Sequence, residues 1–227
     1  MRLVPAARVV KLPDEIPFDV AAALLFKGLT AFYLVHKVHA AKPGDRILLH
    51  AAAGGVGRIA ATWLKHLGAT TIGIVGSQEK AALASAAGCD HVIVNDDGSF
   101  AADVRAIAPE GVDVVYDSVG RTTFAASLDT LRPRGLMVSF GTASGPIPQN
   151  DGGIFGAKGS LFFTRCSIAH YMASRAQIEE GAAALFGLLS SGVLGAGDVG
   201  RYPLAEAAQA HADLEARRTT GSLLLIP

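Results

Sequence analysis

The stretch Leu48-Leu49-His50-Ala51-Ala52-Ala53-Gly54-Gly55-Val56-Gly57 decides the fold. An apolar run ends at His50, three alanines follow, and the glycines open a second apolar pattern over Val56–Leu67. That order reads as strand, tight turn and helix. In this context a glycine-rich turn holds a dinucleotide. Glycine lets the backbone close on a pyrophosphate, and the first helical N–H groups point at the anion. Ala52 stands where the usual G-x-G-x-x-G pattern has its first glycine.

Further strands are expected at Arg46–His50, Thr71–Val75, His91–Val94, Val112–Asp117, Leu136–Phe140 and Ser160–Thr164. Helical patterns separate them at Val56–Leu67, Gln78–Ala87, Phe100–Ile107 and Thr122–Leu131. The strands are rich in Val, Ile and Leu and barely alternate, as in a parallel sheet buried on both faces. Six such strands with intervening helices imply an α/β fold with a doubly wound, six-stranded parallel sheet.

The flanks differ from the middle. Residues 1–17 carry Pro5, Pro13 and Pro17 and read as an extended lead-in. Asp19–His39 reads as one long helix, N-capped near Asp19, with Gly28 marking a close backbone approach. Residues 142–159 are rich in Gly and Pro and read as a mobile loop. Beyond it a helix is expected at Arg175–Leu189, a glycine-rich turn at Gly192–Gly200, a helix at Leu204–Arg217 and a last strand at Ser222–Ile226.

Composition excludes several classes. The chain has 227 residues, half of them hydrophobic, so a substantial core is available. Lys+Arg 20 balance Asp+Glu 20, which leaves no electrostatic footprint for nucleic acid. The apolar run Val20–Phe26 is too short to span a bilayer, and no signal-peptide pattern opens the chain. Two cysteines, Cys89 and Cys166, build neither a disulfide framework nor a zinc site, and read as reduced thiols in a cytoplasmic protein.

Cofactor preference is read at the end of the second strand. An NAD-preferring site places an acidic residue there, on the ribose hydroxyls. This chain has Gly76-Ser77-Gln78-Glu79-Lys80. Gly76 and Ser77 leave room, Lys80 suits a 2′-phosphate, and Glu79 falls one step into the helix. NADPH is therefore expected over NADH.

With these residues in view, the strings HAAAGGVG (His50–Gly57), VVYDSVG (Val114–Gly120), RGLMVSFG (Arg134–Gly141), GSLFFTR (Gly159–Arg165) and TGSLLLIP (Thr220–Pro227) form a pattern. Together with KGLTAFYLV (Lys27–Val35), it closely resembles the NADPH-dependent quinone oxidoreductases. These are the zinc-free, zeta-crystallin-like branch of the medium-chain dehydrogenase/reductase superfamily. The resemblance covers essentially the whole chain.

The resemblance implies a Rossmann domain set in a split catalytic domain. Residues 1–27 would be a remnant of the catalytic domain, 28–166 the NADPH-binding domain, and 167–227 the C-terminal part of the catalytic domain. Gly54, Gly55, Val56 and Gly57 would cradle the pyrophosphate. Gly76, Ser77 and Lys80 would meet the 2′-phosphate, and Ser118 the adenine and ribose side. Phe140, Gly141, Thr142, Thr164 and Arg165 would run past the nicotinamide. Tyr33 and Thr30 would approach from the other side, and Arg217 matches a further cofactor-facing position. A homodimer through the sixth strand, Gly159–Cys166, is also implied.

The implied reaction is hydride transfer to a quinone or another α,β-unsaturated carbonyl. No side chain of this sequence identifies itself as the catalytic acid. The chain departs from the family at Asn95, where relatives often carry an aromatic residue or histidine. It also starts well inside the family's catalytic domain, so a shortened member is expected, with surface along Val20–Leu34 exposed. Two other functions stay open: a non-catalytic NADPH-binding, dimerising module, and an enoyl-thioester reductase.

Other constellations are weaker. Tyr33-x-x-x-Lys37 has the spacing of a tyrosine–lysine proton-transfer dyad but precedes the glycine turn. His36 and His39 share a helix face without completing a metal set. His50 and Trp63 are expected as packed residues.

Overall fold

A computed structural model describes residues 3–197, 199–216, 218–219 and 221–227. The chain order begins with helix α1 (Phe18–Phe32), which continues as a π-helix over Tyr33–Val38. There follow β1 (Arg46–His50), α2 (Gly55–His66), β2 (Thr70–Val75), α3 (Gln78–Ala86), β3 (His91–Val94), α4 (Ala101–Ile107) and β4 (Val112–Asp117). Then come α5 (Phe124–Thr130), β5 (Leu131–Ser139), α6 (Gly153–Ala157), β6 (Phe162–Arg165), α7 (Ile168–Tyr171) and α8 (Arg175–Ser190). The chain ends with β7 (Val199–Pro203), α9 (Ala207–Glu215) and β8 (Ser222–Ile226).

The first six strands form one parallel sheet in the order β3-β2-β1-β4-β5-β6. Every strand is parallel to its neighbour, so all six carboxyl ends lie on one edge of the sheet. The order reverses between β1 and β4, where the chain crosses from one half of the sheet to the other.

The period-two alternation of the strands divides the core into two layers. Ile47 and Leu49 of β1, with Val114 and Tyr116 of β4, face α1, α2 and α8. Leu48, Ile72, Ile74, Val115 and Met137 face α4 and α5 on the other side. Both faces of β1 are therefore buried, which is why the strand shows no polar alternation.

Helix α1 seals one face. Its inner residues Ala23, Leu24, Leu29 and Phe32 are buried. A Cβ at Gly28 would lie 2.4 Å from a methyl of Leu185, so this glycine brings α8 close against α1, as the sequence suggests. The helix starts after Pro17, and Asp19 sits in its first turn rather than at the cap. There Asp19 accepts from the Val20 N–H at 2.8 Å and pairs with Arg201.

Taken whole, Phe18–Val38 has 21 residues and a mean hydropathy of 1.6, long and apolar enough by composition to cross a membrane. The run Val20–Phe26 understates that length. Here 56% of the apolar window is buried inside the fold. The outer face exposes Phe18 and Phe26, while most of Val20–Leu34 is covered. In the π-helical segment the Leu34 carbonyl accepts from the buried Tyr116 hydroxyl at 2.8 Å and from the His39 N–H at 3.3 Å.

Five features depart from the sequence reading. Strand β5 begins at Leu131 rather than Leu136, and polar Arg132 and Arg134 with Pro133 conceal that start. Strand β6 is shifted to Phe162–Arg165. The loop at 142–159 contains α6, and a one-turn α7, N-capped by Ser167, follows β6. Strand β7, Val199–Pro203 with the sequence VGRYP, lacks an apolar run and starts inside the expected glycine-rich turn at Gly192–Gly200. It pairs in parallel with β8 to make a separate two-stranded sheet.

Candidate functional site

The strand-to-turn corner at β1 is built by close backbone contact. A Cβ on Gly57 would lie 2.3 Å from the Ala51 carbonyl oxygen and 2.9 Å from the Ala52 backbone, so no larger residue fits there. Ala52 is fully buried, and its N–H donates to the Ile74 carbonyl at 3.2 Å. Ala51 takes a positive φ of 50°, and its carbonyl accepts from the Gly54 N–H at 2.8 Å. Gly54 is the N-cap of α2. The first-turn N–H groups, at Gly55, Val56 and Gly57, have no intrahelical acceptor and face the carboxyl edge of the sheet.

Gly55 needs its missing side chain for a different reason. A Cβ there would lie 2.8–3.1 Å from Cδ, Cε and Nζ of Lys27, which crosses over the helix tip from α1. The Lys27 ammonium donates to Ser222 Oγ at 2.6 Å, and Ser222 donates to the Ala23 carbonyl. Burial, then the charge of Arg58, holds the Lys27 pKa below its ordinary value.

At the end of β2, Gly76, Ser77 and Lys80 line an open approach. No atom stands within 4 Å of a Cβ position on Gly76. Ser77 caps α3 by accepting from the Lys80 N–H, and the Lys80 side chain is exposed. Asn95 is turned into its own loop, bonding Asp97, Ser99 and the Gly98 N–H.

The ends of β4, β5 and β6 form the next wall. Register places Asp117, Ser139 and Arg165 in one row across three strands. Asp117 is fully buried and accepts from the Val119 N–H at 2.7 Å, the Gly120 N–H at 3.1 Å and the Thr123 hydroxyl at 2.8 Å. That carboxylate fixes the turn carrying Ser118. The Phe140 N–H donates to the Asp117 carbonyl and the Ala143 N–H to the Ser118 carbonyl. A Cβ on Gly141 would lie 2.5 Å from the Ser118 carbonyl oxygen, so the two loops run in backbone contact. Arg165 donates to Ser139 Oγ at 2.8 Å and to the Gly141 carbonyl at 3.0 Å, joining the ends of β5 and β6. Thr142 and Thr164 lie on these same segments, both at least partly exposed.

Tyr33 is buried beside the end of β6, near Cys166 and Arg165. Its ring is 2% exposed and stacks on Tyr171 at 4.8 Å and 11°. Burial, with Cys166 and Tyr171 nearby, raises its pKa well above the ordinary value. Lys37 pairs with Glu180 at 2.6 Å instead of turning to Tyr33, so the two form no dyad. Thr30 is buried, and its hydroxyl bonds back to the Phe26 carbonyl. Arg217 lies outside the described residues.

Sequence reasoning missed Lys27, Asp117 and Ser139 as site-building residues. Lys27 and Asp117 stand inside the quoted strings, but only the fold shows what they touch. His36 packs edge-on to Trp63 at 5.2 Å, and Trp63 is a core residue. His39 bonds Asp45 at 2.8 Å. Among the described residues no group of three or more His, Cys, Asp or Glu stands together. Both cysteines are buried and free, and burial pushes the Cys89 thiol up to about 12.

An open parallel sheet with its glycine turn at the point of reversal defines a Rossmann-type dinucleotide-binding domain. The family model described as "Zinc-binding dehydrogenase" matches residues 55–187. The chain is 50% identical over 228 residues to a quinone oxidoreductase of Salmonella typhimurium, covering 99% of this chain and 69% of that one. It is 47% identical over 232 residues to a 2-haloacrylate reductase of a Burkholderia species, covering 100% of this chain and 69% of that one. Among solved structures, the Escherichia coli quinone oxidoreductase complexed with NADPH superposes with a TM-score of 0.91 at 47% identity, over 96% of this chain and 68% of that one. The chain belongs to the quinone oxidoreductase family of the medium-chain dehydrogenase/reductase superfamily.

His50 supplies a pH test of the corner. It is 1% exposed, its Nε2 meets Ser127 Oγ at 2.8 Å, and its Nδ1 is buried without a partner. Burial lowers its pKa, with Asp117 opposing, so the folded state keeps the ring neutral. An unfolded histidine gains a proton below about pH 6.5. The stability that His50 contributes is therefore complete above pH 6.5 and lost as pH falls toward its folded pKa. Urea unfolding between pH 7 and 5 should show a decline of up to about 1.4 kcal/mol per pH unit from this group. His50→Gln should flatten that decline; an unchanged slope would contradict the assignment.

Proposed function

We propose that this chain binds NADPH and serves hydride transfer to a quinone or another α,β-unsaturated carbonyl. The observation that carries the reading is the pairing of the Gly54–Gly57 corner with an open approach at the end of β2, where Gly76 and Ser77 stand before Lys80 and Glu79 falls in the first turn of α3. The corner offers N–H donors to a pyrophosphate. The approach offers room and a lysine to a 2′-phosphate, where an NAD site would carry a carboxylate. The NADPH complex of the Escherichia coli relative supports the same cofactor.

When bound, the cofactor supplies a hydride, and the acceptor takes up that hydride and a proton from solvent. The protein's part is position. Asp117 and Arg165 hold the β4, β5 and β6 loops rigid, so Ser118, Phe140, Gly141, Thr142, Thr164 and Arg165 make one continuous wall. Acceptors of the proposed class include the substituted acrylate named for the Burkholderia relative. We further propose that residues 28–166 form the cofactor domain, with 1–27 and 167–227 belonging to the catalytic part. The separate β7–β8 sheet supports that division.

Calorimetric titration with NADPH and NADH, followed by NADPH oxidation with a simple quinone, tests the reading. NADPH should bind more tightly than NADH and be oxidised. Lys80→Ala should weaken NADPH about tenfold, one charge-assisted contact, and leave NADH unchanged. Tight binding without turnover with any quinone or enone would favour a cofactor-binding module. Absence of binding would overturn the site.

A homodimer through β6 is the second part of the proposal. β6 is the outer strand of the sheet, and its Phe162 is 62% exposed. Such an edge pairs readily across a two-fold axis. Light scattering should give twice the chain mass; a monomer would contradict it.

A further inference from the structure

We infer that Lys27 is part of the anion-binding wall, its ammonium contacting the dinucleotide pyrophosphate at the tip of α2. The inference rests on the reading of that tip as a dinucleotide site. Glycine at the middle of such a turn is ordinarily explained by the approach of the ligand. At Gly55 the space belongs to Lys27, whose Cδ, Cε and Nζ occupy the position of a side chain at 2.8–3.1 Å. The missing side chain thus lets a cation from α1 reach the first turn of α2.

That placement is electrostatically unfavourable in the chain alone. The N-terminus of a helix carries partial positive charge and repels a cation. Arg58, on the next turn of α2, adds a second charge close enough to depress Lys27 further. Among the described residues, no carboxylate forms an ion pair with Lys27 or Arg58. Among the described residues the ammonium's partner is Ser222 Oγ at 2.6 Å, a neutral acceptor whose own proton goes to the Ala23 carbonyl. An ammonium has three N–H donors, so two have no partner among the described residues. Helix tip, Lys27 and Arg58 form a positive corner with no paired carboxylate among the described residues. A pyrophosphate bridge carries the matching charge.

Ser222, from β8, holds the ammonium against the tip. Lys27 is therefore a binding residue supplied by the segment outside the nucleotide-binding sheet, and Ser222 is its positioning residue.

The test uses three probes in calorimetry: inorganic pyrophosphate, NADPH, and adenosine 2′-monophosphate, which has the 2′-phosphate but no pyrophosphate. Lys27→Met should weaken pyrophosphate and NADPH about tenfold or more, as loss of a charge-assisted contact implies. It should leave adenosine 2′-monophosphate within about twofold, because Lys80 meets that phosphate. Lys27→Gln serves as the polar alternative if Lys27→Met is unstable. Ser222→Ala keeps the charge and should weaken pyrophosphate less than about threefold. Unchanged pyrophosphate and NADPH affinity in Lys27→Met would overturn the inference. So would equal loss of all three probes, or a Ser222→Ala variant that copies the lysine variants, since either would make Lys27 a purely structural tie. Wild-type protein that binds pyrophosphate through Lys27 but not NADPH would keep the anion wall and overturn the dinucleotide reading instead.

Discussion

The contact between the Gly57 backbone and the Ala51 carbonyl is the constraint on which the rest of the site depends. It brings the first turn of α2 onto the end of β1 with no side chain between them. Were the helix held farther off, its free N–H groups would not meet the edge where the other strands end. Parallel pairing supplies the second half of the arrangement. Because β1 to β6 all run the same way, every loop that follows them opens on that same edge. Sequence-distant residues, from Gly54 to Arg165, therefore become one surface without any long-range search for partners.

What stiffens that surface is polar and buried. Asp117 gathers two backbone N–H groups and a hydroxyl within the turn after β4. A buried carboxylate is tolerated because its charge is met by donors on both oxygens. Arg165 does the equivalent work between β5 and β6 from the exposed side. Neither residue needs to touch a ligand to matter; each sets the position of backbone that does. His50 behaves differently, since its Nδ1 stays unpartnered and burial keeps it neutral.

The parallel sheet was legible because its strands are short Val, Ile and Leu runs bounded by Gly and Asp. β1, β3, β4 and β8 start and stop where the residues say. The failures have physical causes. β7 is held by pairing with β8, a tertiary interaction that its sequence VGRYP does not advertise. The start of β5 is polar because Arg132 pairs with Asp113 there, which hides a strand behind surface charge. At the site, glycine positions could be read, but their reasons could not. Gly55 looks like room for a ligand and proves to be room for Lys27. Tyr33 matches a cofactor-facing position by resemblance, and the fold stacks it on Tyr171, from a one-turn helix that the sequence does not reveal.

The central claim is that the carboxyl edge of the sheet is a single NADPH-binding surface. Hydrogen exchange, followed by mass spectrometry with and without NADPH, tests it most directly. The account predicts slowed exchange at 54–57, 76–80, 117–121, 140–143 and 164–166, with β7 and β8 largely unaffected. Protection confined to any other face, or no protection at 54–57 at saturating NADPH, would contradict it.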